Sequence, residues 1–417
     1  MNTRQRLAYG MLGAPLAMAA LPVYIHTPKL YGDDFGLGLA ATGAILLGSR
    51  AIDTLQDPWL GRLADYMQRR QGGWKMLMVT AALLLGFAYT ALFNPPGREG
   101  FSLGAWFAAC LVLVYTAHSA LTITYLTWGA RASSDTHERT RLIAFREGFA
   151  LAGVVLASLL PMLFTQWLDA GLAWLLLSLV FAAVLAPSVW VLLRHVSVPQ
   201  PVQTISLGIL QPLRHEPFRR LATLFFLNGL AVAIAATLSL FYIADVLQLE
   251  SYSGAFLALY FVSGAISLPL WLILTRRLDK TITWMIGSIL AVTGFVWAVQ
   301  LGAGDIVPYV IVCMLSGAAL GADLVLPTAI AADIIPQQDH GRTASYFGIW
   351  SLISKAVLAL SAGMALPLLA VVGYRPGEQA GLEELALLYA GVPSIIKLFS
   401  AALLLRWRSS LEIRHAI

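Results

Sequence analysis

Charge is what this sequence has least of. Asp, Glu, Lys and Arg together make up 12% of its 417 residues, against about a quarter in soluble domains, which excludes a water-soluble globular chain. Cysteine is nearly absent. Cys110 and Cys313 both sit inside apolar runs, so neither a disulfide framework nor a thiolate metal site is expected, and both read as small packing residues. Also missing are the H-E-x-x-H pattern of zinc hydrolases, the G-x-S-x-G elbow of serine hydrolases and the Walker A phosphate loop. Those absences argue against a membrane-embedded enzyme and against direct drive by ATP, and no organic cofactor is expected. A net charge of +5 calls for no nucleic-acid partner, because an excess of Lys and Arg is what cytoplasmic membrane loops carry.

What is present is apolar length. Hydrophobic residues are 59% of the chain, in recurrent runs long enough to cross a ~30 Å hydrocarbon core. The runs predict an all-α integral membrane protein with twelve transmembrane helices, at roughly 7–30, 37–60, 76–94, 101–129, 143–167, 170–193, 219–246, 252–275, 282–302, 306–331, 343–371 and 383–406. The widest polar gap carries Pro199, Pro201 and Pro212. It divides the chain into an N-terminal six-helix bundle (1–195), a cytoplasmic linker (196–218) and a C-terminal six-helix bundle (219–417). The start, Met1 to Arg6, is short and basic with no cleavage pattern after it, so the first helix is expected to stay in the membrane.

Charge placement supports the count. With both termini in the cytoplasm, twenty-one of the 27 Lys and Arg fall on that side and three on the other, a strong positive-inside bias. Arg50, Lys355 and Lys397 are intramembrane. A weak internal repeat is also visible. D-P-W-L-G-R-L-A-D-Y-M-Q-R-R follows the second helix and L-P-L-W-L-I-L-T-R-R-L-D-K the eighth, as in a duplicated fold.

The chain is organised around R-A-I-D-T-L-Q-D-P-W-L-G, from Arg50 to Gly61. A charge at mid-bilayer costs about 2.5–3.5 kcal/mol on insertion scales, and here three fall in one helix. Arg50, Asp53 and Asp57 stand at i, i+3 and i+7, on one face. Arg50 with Asp53 alone could be a structural ion pair between helices, but that leaves Asp57 unexplained. Two ionised, dry aspartates one turn apart repel, so their titration is coupled unless a cation lies between them. A proton or Na⁺ is the natural occupant.

Four stretches resemble the glycoside–pentoside–hexuronide:cation symporters (melibiose permease-like) of the major facilitator superfamily. They are R-A-I-D-T-L-Q-D-P-W-L-G at Arg50, D-T-H-E-R-T-R-L-I-A-F-R from Asp135 to Arg146, A-A-D-I-I leading into H-G-R-T-A-S-Y-F-G, and G-I-W-S-L-I-S-K-A-V-L-A-L around Lys355. The loop G-R-L-A-D-Y-M-Q-R-R resembles the superfamily's signature between helices two and three. The resemblance implies a major facilitator fold of two six-helix bundles and cation-coupled symport by alternating access. It implies that Asp53 and Asp57 bind the coupling ion (H⁺, or Na⁺ as the metal ion), that Lys355 lies close to that site, and that Arg146 lies by the cytoplasmic gate. Arg50 and Lys355 are then the charge-balancing residues.

The departures from that pattern are informative. Where the family's sugar-binding aspartates stand, this chain has Ala17 in its first helix and Thr122 in its fourth. A buried sugar hydroxyl without a partner costs about 1–3 kcal/mol, so an amphiphile or lysophospholipid competes with a sugar or glycoside as cargo. Gln56 replaces a shorter amide beside the second aspartate, which opens the choice between Na⁺ and H⁺. Gln56 and Thr122 complete the expected cation set.

Other positions carry expectations too. Asp323 in the tenth helix is expected to pair with Lys355 or Lys397, or to face the substrate. Lys397 is expected to snorkel toward the cytoplasm. His118 is read either as a proton relay or as a hydrogen-bonded packing residue. Tyr125 belongs to a polar-aromatic helix suited to a cavity wall, with Ala17, His118 and Asp323, and Trp128 is expected to anchor at the interface. Arg146, Asp333 and Arg342 are expected to be gate residues, and Pro22, Pro161, Pro269, Pro327 and Pro367 to kink helices. The whole reads as a monomeric, multi-pass transporter of a bacterial inner membrane, surrounded by lipid, with a small-molecule or amphiphilic substrate. A membrane receptor or scaffold is the non-transporting alternative.

Overall fold

Apolar runs with no water to bond their backbone groups must close their hydrogen bonds within the segment, and among the described residues every long element is a helix. The computed structural model describes residues 1–97, 100–197, 199, 208–375 and 380–412. Residues 198 and 200–207 of the expected linker, and the loop and terminal residues Arg98 and Arg414, lie outside them. Twelve long helical segments follow in order. They are α1 (Thr3–Asp34), α2 (Leu39–Met67), α3 (Gly73–Phe93), α4 (Gly100–Arg131), α5 (Thr136–Trp167) and α6 (Ala170–His195). Then come α7 (Glu216–Val246), α8 (Ser253–Leu274), α9 (Lys280–Val299), α10 (Ile306–Ile334), α11 (Thr343–Val371) and α12 (Leu382–Leu411). Eleven are apolar enough by composition alone to cross a membrane; α2 is the exception, because Arg50, Asp53, Asp57, Arg62 and Asp65 all fall in it.

Local chemistry explains where helix starts differ from expectation. α5 begins at Thr136 rather than 143 because the Asp135 carboxylate caps it, accepting the His137 N–H at 2.8 Å. Burial acts to raise the Asp135 pKa, but hydrogen bonds from the His137 and Glu138 N–H groups, together with nearby positive charge including Arg141, outweigh it and hold the carboxyl below its ordinary value. α7 begins at Glu216 rather than 219, with Pro217 in its first turn, where a fixed φ and a missing N–H do no harm. The five expected prolines, with Pro58 and Pro187, lie inside helices that continue through them.

The chain forms two compact units. The first is Met1–Pro212 with Ile335–Leu352, and the second is Leu213–Ile334 with Ile353–Ile417. Residues 335–352 were expected in the C-terminal bundle (219–417); they join the first unit because Asp65 caps the start of α11. Its carboxylate accepts the N–H groups of Ala344 and Ser345, each at 2.9 Å, and the Ser345 hydroxyl. Gln68 donates to the Gly341 carbonyl and accepts from Arg131.

In the first unit α1 lies against α5 at backbone distance. A Cβ on Gly153 would overlap the Ala14 carbonyl oxygen, and one on Gly13 the Arg146 carbonyl oxygen. Helices in lipid associate through such small residues, because lipid tails leave no hydrophobic gain to drive contact. Gly153→Val is therefore expected to lower the unfolding temperature by several degrees, with overpacking costing about 1–3 kcal/mol; thermal unfolding of the purified variant checks it. An unchanged temperature would mean the helices part without penalty.

The second unit repeats the scheme, with α10 seated on α8 at Gly317 against the Tyr260 carbonyl and on α9 at Gly287 against Ala322. A finer correspondence also links the halves. α1 and α7 both end in a π-helical turn, Leu30–Asp34 and Tyr242–Val246. From each turn a buried tyrosine reaches a carbonyl on the helix two places on, Tyr31 to Leu92 at 2.7 Å and Tyr242 to Ala298 at 2.5 Å. The duplication suspected from helices two and eight is thus carried more clearly by helices one and seven.

Candidate functional site

The first unit holds the aspartates. Asp53 is 2% exposed and Asp57 fully buried, one turn apart on α2. The Ser119 hydroxyl on α4 donates to Asp53 Oδ1 at 3.2 Å, and Arg50 Nη1 lies 3.5 Å from Asp53 Oδ2. The Arg50 guanidinium also stands over the rings of Tyr24 (5.8 Å) and Tyr115 (5.3 Å), which holds the cation at one side of the carboxylate. Pro58 follows Asp57 directly and cannot donate to the Thr54 carbonyl, so α2 loses one backbone bond beside the pair. Gln56 Oε1 accepts from Thr116 at 2.8 Å, while Gln56 Nε2 and Thr122 Oγ1 have no hydrogen-bond partner among the described residues. The donor set is two carboxylates, hydroxyls and an amide, all oxygen on the accepting side. That chemistry suits a proton or a hard cation. No group of three or more His, Cys, Asp or Glu side chains arranged to hold a metal ion occurs among the described residues.

Neighbouring expectations resolve differently. Tyr125 is fully buried, its ring tilted against that of Tyr9 with centroids 4.5 Å apart, and it donates its hydroxyl to the Tyr9 carbonyl while Tyr9 donates back to the Tyr125 carbonyl at 3.2 Å. This double tie clamps α1 to α4. Trp128 is likewise internal, stacked with Trp74 and donating to the Ser197 carbonyl at 3.0 Å, so it does not anchor at an interface. His118 Nε2 lies 3.1 Å from the Leu16 carbonyl, a helix-to-helix tether, and Ala17 next to it is half-buried. Arg146 pairs with its neighbour Glu147 and stands 5.8 Å over the Tyr125 ring. Arg342 pairs with Asp339 at 2.8 Å.

The second unit holds Lys355, half-buried on α11, and the pair of Asp333 with Lys280. It also holds a second polar centre. Lys397 does not snorkel. Its Nζ lies 2.6 Å from Asp323 Oδ2 and 2.8 Å from Asn228 Oδ1, and the Trp284 indole N–H donates to Asp323 Oδ1 at 2.9 Å. Both charged side chains are under 10% exposed. Isolated, either would be costly in this setting; together they close a neutral node across α7, α9, α10 and α12. The node sits at the wall of a chamber of about 310 Å³ lined chiefly by aliphatic and aromatic side chains of these helices and α8.

Sequence reasoning named the charges of this node but not Asn228 or Trp284, and named Asp53 but not its partner Ser119. Asn228 had a signal, as a lone amide in F-F-L-N-G-L-A. Asp65 had one as well, inside the quoted G-R-L-A-D loop. Ser119 had its place beside His118 on the fourth helix, and Trp284 had none.

Known structures share this architecture. A bacterial homologue of the iron transporter ferroportin, in an outward-facing state, superposes with a TM-score of 0.76 at 18% identity, covering 98% of this chain and 100% of that one. The Escherichia coli fucose:proton symporter FucP gives 0.66 at 14% identity, over 95% and 97% of the two chains. At such identities the likeness concerns the fold, which is the twelve-helix major facilitator fold. The chain is a secondary transporter and not an enzyme. It belongs to the MFS/sugar transport protein family, whose profile matches residues 7–410. Among its relatives is the inner membrane symporter YicJ of Escherichia coli, 23% identical over 98% of this chain and 92% of that protein. Another is YagG of the same organism, named as a glycoside/cation symporter, 23% identical over 37% of this chain and 33% of its own length. Membership of the glycoside–pentoside–hexuronide:cation symporters, read from the four stretches, agrees with these relatives.

Proposed function

We propose that this protein is a cation-coupled symporter, using H⁺ or Na⁺ bound at Asp53 and Asp57 to drive a small organic solute, a sugar or glycoside, into a bacterial cell by alternating access. The observation that carries the reading is the burial of two carboxylates one turn apart on a single helix, with a hydroxyl donating to one oxygen of Asp53 and a guanidinium beside the other. Two enclosed anions at that spacing repel, and a bound cation relieves the repulsion. Occupancy thus changes the free energy of closing the site, which is what coupling requires. Gln56 and Thr122 are the further members of the ion site, Arg50 balances its charge, and Arg146, Asp333 and Arg342 hold gate ion pairs that exchange partners between states. The family's description and YagG's name favour a sugar or glycoside. One observation favours the amphiphile reading instead, the apolar lining of the chamber in the second unit. In this reading the protein is a monomer in the inner membrane with both termini in the cytoplasm.

Proteoliposomes test the coupling. A panel of radiolabelled monosaccharides, glycosides and lysophospholipids is offered under an inward Na⁺ gradient at uniform pH, and under a pH gradient without Na⁺. We expect one gradient to drive accumulation of one solute class above equilibration. Equilibration without accumulation under either gradient would mean a uniporter, and the coupling would be abandoned.

A further inference from the structure

We propose that the chamber of the second unit binds a neutral, single-chain amphiphile whose hydroxylated head meets the Asp323–Lys397 pair and whose tail lies among the apolar side chains. The proposal rests on the amphiphile form of the transporter reading only in treating this ligand as cargo; binding itself stands on the geometry. The chamber's volume of about 310 Å³ falls at the small end of ligand sites. Ile243, Phe256, Leu257, Val292, Phe295 and Val312 supply most of its walls; among its hydroxyls Ser239 and Ser316 donate to carbonyls of their own helices and Tyr309 bonds Tyr389, which leaves little for the many hydroxyls of an unsubstituted sugar.

The polar end is incompletely satisfied. An ammonium carries three donors and a carboxylate about four acceptor sites. Lys397 uses two donors, on Asp323 and Asn228, and Asp323 accepts from Lys397 and Trp284. Ser394 lies one turn before Lys397 on α12, is 4% exposed, lines the chamber, and its hydroxyl has no hydrogen-bond partner among the described residues. Buried polar atoms are ordinarily paired, so this hydroxyl marks where a ligand's polar group goes.

Charge then selects the head. The pair is neutral as a whole. An anionic head would set a second negative charge beside Asp323, a cationic head a second positive charge beside Lys397, and either would leave a net charge buried. A hydroxyl donates to the carboxylate and accepts from the ammonium with no change in total charge. A glycerol or long-chain alcohol head does this. Leu240, 53% exposed, stands at the rim, where a tail can enter.

Photolabelling of the full chain in lipid nanodiscs tests this, with monodecanoylglycerol carrying a diazirine in its tail. We expect saturable label on chamber-lining peptides of α7, α8 or α12. Unlabelled monodecanoylglycerol should compete at concentrations at least tenfold below those needed for decanoate, decyltrimethylammonium or free glucose. Ala235→Phe, which fills the chamber, should cut chamber label about tenfold while label on lipid-facing positions of the first unit stays unchanged, showing that the variant is folded. Ser394→Ala, a milder change, should weaken competition several-fold. Absence of chamber label, equal competition by decanoate or glucose, or label indifferent to Ala235→Phe would each overturn the proposal. No gradient is involved, so a negative result leaves the Asp53–Asp57 coupling untouched. Loss of accumulation with intact chamber label would instead remove the coupling alone.

Discussion

Asp57→Asn should abolish gradient-driven accumulation while leaving exchange of solute across the membrane in counterflow. The amide has the carboxylate's shape, so packing on α2 is kept, but it neither takes up a proton in this range nor neutralises a cation. Asp57 is fully buried, where an unneutralised carboxylate is costly to enclose. The neutral variant mimics the ion-loaded state permanently, so the site closes with or without an ion and the gradient loses its purchase on the cycle. Asp53→Asn should also lose accumulation, and in addition lower stability, because Arg50 then keeps only its contacts with Tyr24 and Tyr115 in place of a carboxylate at 3.5 Å. Uptake by proteoliposomes, with and without the driving gradient, reads both effects. The structural ion-pair reading makes the opposite forecast: Asp57→Asn would accumulate normally, and only Asp53→Asn would suffer, through stability.

How much of this was legible in the chain varies with the kind of information involved. Helix count was legible because water is excluded from the spans and each must read as one apolar run. α2 was found for the converse reason, since its charges stand out against that background. Ends were less so: α5 starts seven residues before its expected start of 143, because Asp135 caps a turn too polar to count as membrane span. Facing was harder still. Tyr125 and Trp128 looked like cavity wall and interface anchor, and both proved to be interior, because a polar aromatic is satisfied by a neighbouring backbone carbonyl that no sequence pattern reveals. Residues 335–352 likewise joined the first unit through an acceptor 280 residues away, Asp65 to Ser345. Lys397 was misread for the same cause. A long lysine side chain in a membrane helix can reach toward water, and only the placement of α10 and α7 beside α12 shows that it has better partners inside.

Those partners set the second large effect. Lys397→Met is expected to destabilise the protein by about 3–5 kcal/mol, the usual result of stranding one member of a buried pair, and Asp323→Leu by a similar amount. In each case the survivor keeps one neutral hydrogen bond, Asn228 having been shared with Lys397 and Trp284 with Asp323, which is too little to hold a dry charge. The double variant removes both charges and should recover most of the loss, since well-packed apolar replacements of such pairs are often neutral or better. Thermal unfolding of the two singles and the double gives the coupling free energy directly. If the double stays as unstable as the singles, the node is held by Asn228 and Trp284 packing rather than by charge. If it recovers stability and also loses the chamber's preference for a hydroxylated head, then the pair contributes little to folding and its retention in an apolar bundle is explained by what it binds.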